Sequence, residues 1–335
     1  MVRTLRRAAV PLVPLLTFAL VAALPASAWA IGDGTRAQRG AAYLVSQQLP
    51  DGSIPAFSPI GSTSDAVLAF VASGVGGTAM KAAIGYLKAQ TQAGNVNAIG
   101  LRAKVVMAAG AAGKDPSNFG GHDLVAEIGT NGGDGHYGSA TVFDDALVVL
   151  ALSSAGVALP PVVAQWLITG QCPDGGWAYD APYDPSHDDA HCHSGDNDFF
   201  NSDSNTTAYV VMALERMGIV SWGANPFAFL KTLRDPVHGG WSYDASFLAT
   251  DANSTALVIQ AYASAGVNVP RGGLAALRGL QYQKCGAWAY NWNGSVIGDP
   301  DVGATIAAVP AVLLDPLPIL PAPVKRGVPT TPPCV

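Results

Sequence analysis

Apolar residues return at helical spacing in a series of short runs along this chain. Val67, Leu68, Phe70 and Val71 form one stripe, and Leu147, Val148, Leu150 and Ala151 a second. Val210, Val211, Ala213 and Leu214 make a third, and Leu257, Val258, Ala261 and Tyr262 a fourth. Each stripe predicts a helix. Glycine ends them at Gly74, Gly156, Gly218 and Gly266, where a left-handed C-terminal residue costs least. Cap chemistry opens them at Ser62 to Asp65, Asn205 to Thr207, Asn253 to Thr255 and Asp301. A second apolar stretch precedes each such helix, anchored by Tyr43-Leu44, Tyr86-Leu87, Leu124-Val125, Trp166-Leu167, Phe229-Leu230 or Ala276-Leu277.

The two stretches are joined by a recurring phrase. It is fullest at Gln171, Gly175 and Trp177, returns as Arg234, Gly239 and Trp241, and again as Gln281, Gly286 and Trp288. Earlier copies are worn: Gln48, Gly52 and Ile54 in the first, Thr91 and Gly94 in the second, Gly135 and Tyr137 in the third. Repetition about every 45 residues means stacked copies of one supersecondary unit. Six helical hairpins predict an all-α chain closed into a single (α/α)6 toroid, with one helix of each pair inside. Closure buries the end repeats against each other and leaves no length for a second domain.

The tryptophan phrase at 166–177 resembles the QW motif of squalene and oxidosqualene cyclases. The repeats from Arg36 to Leu314 resemble the prenyltransferase and squalene-cyclase α/α-toroid superfamily, which also holds cobalamin carriers of the intrinsic-factor type. The resemblance implies that Gln171, Gly175, Trp177, Gly239, Trp241, Gln281, Gly286 and Trp288 brace the outer helices and do no chemistry. It implies a ligand in the central cavity, with a corrinoid or an isoprenoid as the small molecule; no cofactor can be named. The converging inner-helix N-termini, marked by Asp65, Asp145, Thr207, Thr255, Asp301 and Thr305, would meet that ligand.

The cyclases use an Asp-x-Asp-Asp motif whose central acid protonates an alkene. Here Val142-Phe143-Asp144-Asp145 keeps the last two carboxylates and has valine in place of the first, while Asp299-Pro300-Asp301 lacks the following aspartate. Asp144 and Asp145 are therefore the candidate acids, and ordinary helix-dipole residues in the competing reading. An alternative to the binder is thus a class II type terpene cyclase using Asp144; a third reading is a module attached to the cell wall through its tail.

Composition narrows the setting. Arg3, Arg6 and Arg7 precede an apolar stretch from Ala8 to Leu24 and small-residue sites at Ala26 to Ala30, predicting a signal peptide over 1–30 and a secreted protein. The toroid would fill 31–316, and a proline-rich extended tail 317–335. The formal charge is −6, and three units more negative without those arginines, so the basic stripe of a nucleic-acid binder is missing. No other apolar run is long enough to span a membrane. Four cysteines in an oxidising compartment suggest Cys172 with Cys192 and Cys285 with Cys334. The fourth repeat carries about 18 extra residues between Asp180 and Asn205, holding His187, Asp188, His191 and His193. Ligand-type side chains at that density suit calcium or a transition metal, but their spacing fits no standard loop; the competing reading is a solvated acidic lid over the mouth.

Overall fold

The computed structural model describes residues 30–138, 141–180, 192 and 201–334. Twelve α-helices run through these residues. In chain order they are α1 (Ala30–Gln47), α2 (Pro59–Ser73), α3 (Gly77–Gln92), α4 (Ile99–Ala111), α5 (Leu124–Ile128) and α6 (Val142–Ser154). There follow α7 (Pro161–Thr169), α8 (Ser204–Arg216), α9 (Pro226–Thr232), α10 (Ala252–Ser264), α11 (Gly273–Gly279) and α12 (Val302–Val312). The even-numbered helices pack each on the next, and α12 returns to α2. That closes an inner ring of six, with the odd-numbered helices outside: the chain is an all-α, (α/α)6 toroid. The strands are two-residue pairs, and β1 (Trp177–Ala178) with β2 (Ser202–Asp203) ties a phrase to the start of its inner helix.

Inner helices are buried nearly all round. Residues 206–214 of α8 are all buried, which explains why their stripes read as runs rather than as one narrow face. The helix starts differ from the sequence reading. Asp203, Asp251 and Ser58 are the caps, accepting from Thr206 N at 2.7 Å, Ser254 N at 2.7 Å and Gly61 N at 3.3 Å. Asn205, Asn253 and Ser62 lie inside the helix, past these caps.

The phrase divides its work between two side chains. Trp177, Trp241 and Trp288 are fully buried, and their indole N–H groups donate to Leu167 O at 2.6 Å, Leu230 O at 2.9 Å and Leu277 O at 2.8 Å. The ring thus satisfies the exposed end of its own outer helix. Glutamine instead reaches the neighbour. Gln171 Nε2 donates to Ala224 O at 2.8 Å just ahead of α9, and Gln48 Nε2 to Ala79 O at 2.9 Å in α3. Gln281 Nε2 donates to Arg36 O at 3.0 Å in α1, which carries the last copy onto the first. Arg278 pairs with Asp33 across the same seam, Nε to Oδ1 at 2.8 Å. Gly286, at φ 86°, presses so closely on α1 that a Cβ would lie 2.5 Å from the backbone of Arg39.

Both disulfides form, Cys172 with Cys192 and Cys285 with Cys334. The segment after α12 is extended: it starts along the end of the ring opposite the phrases and finishes bonded to Cys285 in the last of them. Leu317 and Ile319 enter the core. Pro318 O accepts from Arg216, and Lys325 N donates to Gly74 O at 2.9 Å. Among the described residues, no helix is long and apolar enough to cross a membrane. The Cys285–Cys334 bond spans 49 residues, so Cys334→Ser should cost about 2–4 kcal/mol of unfolding free energy in the loop-closure account. Urea midpoints under non-reducing conditions check this; an unchanged midpoint means the segment adds nothing.

Candidate functional site at the mouth of the ring

Counted from the helix starts, equivalent positions of the six inner helices fall into layers along the ring. The uppermost holds Gly61, Gly100, Phe143, Asn205, Asn253 and Gly303; the next, Asp65, Lys104, Leu147, Tyr209, Leu257 and Ala307; the third, Leu68, Met107, Leu150, Met212, Gln260 and Pro310. Every residue of the third layer is buried. Among the described residues, the third layer is thus closed, while most of the two layers above it keep part of their surface, which outlines a shallow cup at the head of the ring. From the top layer to the second is about 6 Å of helix rise.

The floor of the cup carries a charge pair. Lys104 Nζ lies 2.6 Å from Asp65 Oδ2, with side chains 20% and 30% exposed. Burial pulls the Lys104 ammonium down, but Asp65, Tyr209 and Asp144 outweigh it and hold it above its ordinary value. Asp144 stands on the wall, raised by burial, with Lys104 opposing the rise. Gly100 makes room for it, since a Cβ there would collide with the Asp144 carboxylate. An aromatic cluster begins at the next residue back in the chain. Phe143 stacks on Tyr179 at 5.3 Å and meets the edge of Tyr209 at 5.0 Å.

The other sequence candidates lie elsewhere. Thr207, Thr255 and Thr305 are fully buried, and their hydroxyls accept from Trp177 N at 3.0 Å, Trp241 N at 2.9 Å and Trp288 N at 2.9 Å. Thr63 does the same for Ile54 in the first copy, at 2.9 Å. Asp145 occupies the equivalent place in the third copy: Oδ1 accepts from Tyr137 N at 3.2 Å, and Oδ2 meets His136 Nδ1 at 2.8 Å. Burial lifts it to about 6. Asp301 caps α12, accepting from Ala304 N at 2.6 Å. Of the named residues, the geometry brings Asp65 and Asp144 to the cup. His187, Asp188, His191 and His193 lie outside the described residues. Among those described, no group of three His, Cys, Asp or Glu side chains is arranged to hold a metal.

Lys104, Phe143, Tyr179 and Tyr209 escaped sequence reasoning. Lys104 sits in the second copy, which has no tryptophan phrase to set its register. Counting on from the buried threonines would have found it: two residues past Thr63 and Thr207 stand Asp65 and Tyr209, and Lys104 holds the same step in α4. Burial also marks Asp203 and Asp251, pushed up to about 7 and about 6.

No protein-family model and no curated protein matches this chain. Solved structures do. The alpha-1,6-mannanase of Salegentibacter sp. HEL1_6, in a variant inactivated at two successive aspartates and bound to alpha-1,6-mannotetrose, is similar with a TM-score of 0.54. Identity is 12%, over 84% of this chain and 98% of that one. A protein from Actinoplanes follows at TM-score 0.52 and 17% identity, covering 84% and 98%. A type II terpene cyclase from Scytonema aligns at TM-score 0.37 and 12% identity, over 84% and 98%, too distant to carry an argument. The first two likenesses establish the α/α-toroid class and leave activity to the site itself.

Proposed function

We propose that this chain is a secreted α/α toroid that holds a small-molecule ligand in its axial cup, against Asp65, Lys104, Asp144 and the Phe143, Tyr179 and Tyr209 rings. The observation that carries this reading is the Lys104–Asp65 pair on the floor. A partly buried ion pair costs desolvation that apolar residues of similar size would spare, so packing alone does not call for it. Secretion is supported by the basic-apolar N-terminal pattern and by two disulfides. The resemblance to cobalamin carriers and to cyclases suggests a corrinoid or an isoprenoid as first ligands to examine.

Lys104→Met keeps the length of the side chain and removes its charge. Organic extracts of wild-type and variant protein, compared by mass spectrometry, should show a molecule retained only by the wild type. Equal retention by both would remove the floor pair from the account.

A second reading has its own observation: an acid raised by burial, next in sequence to Phe143, which packs on Tyr179 and Tyr209. Asp144 would pass its proton to one alkene carbon, the π electrons forming the new C–H bond, and ring faces would stabilise the cation left on the other carbon. The mannanase comparison suggests a paired-carboxylate hydrolysis less well, because Asp145 is already engaged by His136 and Tyr137. Isoprenoid turnover that disappears in Asp144→Asn, with the melting temperature kept, would establish the cyclase; no turnover in the wild type would dismiss it.

A further inference from the structure

In the loop between Trp288 and α12, Trp292 pairs with Ile297 and Asn293 with Val296 in a short antiparallel hairpin. Its two-residue turn is Gly294-Ser295, and Gly294 sits at φ 64°, in the left-handed region that glycine occupies without strain. Asn293, Gly294, Ser295 and Val296 are all exposed. A Cβ on Gly294 would meet nothing within 4 Å. The turn stands clear of the rest of the fold, and so short a hairpin opens at little cost.

Asparagine followed by glycine carries a reaction of its own. The next backbone nitrogen can reach the side-chain amide carbon, provided that no hydrogen bond holds it and no Cβ shields it. Among the described residues, no hydrogen bond holds the Gly294 N–H or the Asn293 side chain. Other asparagines are restrained. Asn131, also followed by glycine, is half-buried, and its Oδ1 accepts from Gly133 N at 3.2 Å. Asn205 and Asn253 lie in the first turns of α8 and α10, where the nitrogens that follow them are taken. Thr206 N donates to Asp203 Oδ1 at 2.7 Å, and Ser254 N to Asp251 Oδ1 at 2.7 Å.

We propose that Asn293 is a site of spontaneous covalent modification, converting through a succinimide to aspartate and isoaspartate. The Gly294 nitrogen gives its proton to solvent base and bonds to Asn293 Cγ. The bond from Cγ to Nδ2 then breaks, and that nitrogen takes a proton from solvent and leaves as ammonia. Water opens the ring at one carbonyl or the other, leaving either an aspartate or a backbone that runs through the side-chain carbons. Nothing is oxidised or reduced. Each event makes the formal charge of −6 one unit more negative. The isoaspartyl form adds a methylene to the backbone and breaks the pairing of residue 293 with Val296. Trp292 adjoins the change with its ring stacked on His238 at 4.5 Å, so the hairpin's contact with the fifth copy loosens as the protein ages.

Peptide mapping by mass spectrometry tests it, on the full folded chain with its disulfides intact, held in mildly acidic and in mildly alkaline buffer. The Asn293 peptide should gain the mass difference between O and NH and split into two forms, at a rate that rises with hydroxide. It should convert about tenfold faster than the Asn131 peptide, a factor that roughly one retained hydrogen bond accounts for. Asn293→Gln, whose longer side chain would have to close a six-membered ring, should lose the conversion and keep the melting temperature. The same chain unfolded in urea gives the unrestrained rate. Conversion at Asn131 ahead of Asn293, or an Asn293 peptide unchanged in the folded chain while it converts in urea, overturns the proposal.

Discussion

Trp288→Ala should lower unfolding free energy by about 3–5 kcal/mol, the range for deleting a large buried aromatic side chain. Trp288 has no exposed surface, donates its indole proton to Leu277 O at 2.8 Å, and holds Thr305 through its backbone. Its position makes the expectation discriminating. The ring lies against Gly40 of α1, where a Cβ would come within 2.6 Å of Trp288 Cζ3. Trp288 thus packs at the seam between the last copy and the first. In an open superhelix the last repeat frays, and a substitution there costs little. In a closed ring Trp288→Ala should be no milder than Trp241→Ala, whose ring is equally buried within the array. Chemical denaturation of both variants decides between them. A Trp288→Ala cost well under that of Trp241→Ala would contradict closure.

The second large effect is on pH dependence. Asp203, Asp251 and Asp145 are pushed up to about 7, about 6 and about 6, in each case chiefly by burial. Their unfolded values lie near the usual value of about 3.9. Raised carboxylates bind protons more tightly in the folded state, so their contribution favours folding at low pH. It is lost as pH climbs from about 4 to about 7. Every tenfold gain in proton affinity is worth about 1.4 kcal/mol, so the three together should remove at least a few kcal/mol between about pH 5 and pH 8. The neighbouring charges have opposing senses: His136 draws Asp145 down, while Asp244 pushes Asp203 up. Urea midpoints should therefore fall on going from about pH 5 to about pH 8. Asp203→Asn, which retains the cap, should flatten the slope. Equal or rising stability across that interval would mean these carboxylates remain ionised in their buried sites.

The fold was legible because its brace is chemically narrow. A buried ring with one N–H, set a fixed distance from a left-handed glycine, admits few substitutes, so three tryptophans survive with their spacing. The disulfide partners were legible through the repeat, since Cys172 and Cys285 occupy phrase positions in the fourth and sixth copies. The threonines misled for an instructive reason. A hydroxyl at an inner-helix N-terminus looks the same in sequence whether it faces a ligand or its own tryptophan, and only geometry separates Thr207 from Asp65. Asp145 was masked by residue type, because aspartate there accepts the backbone N–H that threonine accepts in other copies. The cap Asp203 was hidden by the long insertion ahead of it. Lys104 stood in a copy whose phrase has eroded, where nothing in the local sequence sets the register that brings it to the axis.

The cup itself is open to one direct measurement. Ala307 is a small, half-buried member of the floor layer. Ala307→Trp should fill the hollow and leave the ring closed. Native mass spectrometry of secreted wild type should show a non-covalent mass that Ala307→Trp lacks, at unchanged disulfide content. A wild type free of any added mass, or the same mass retained by both proteins, would contradict a ligand held on the axis.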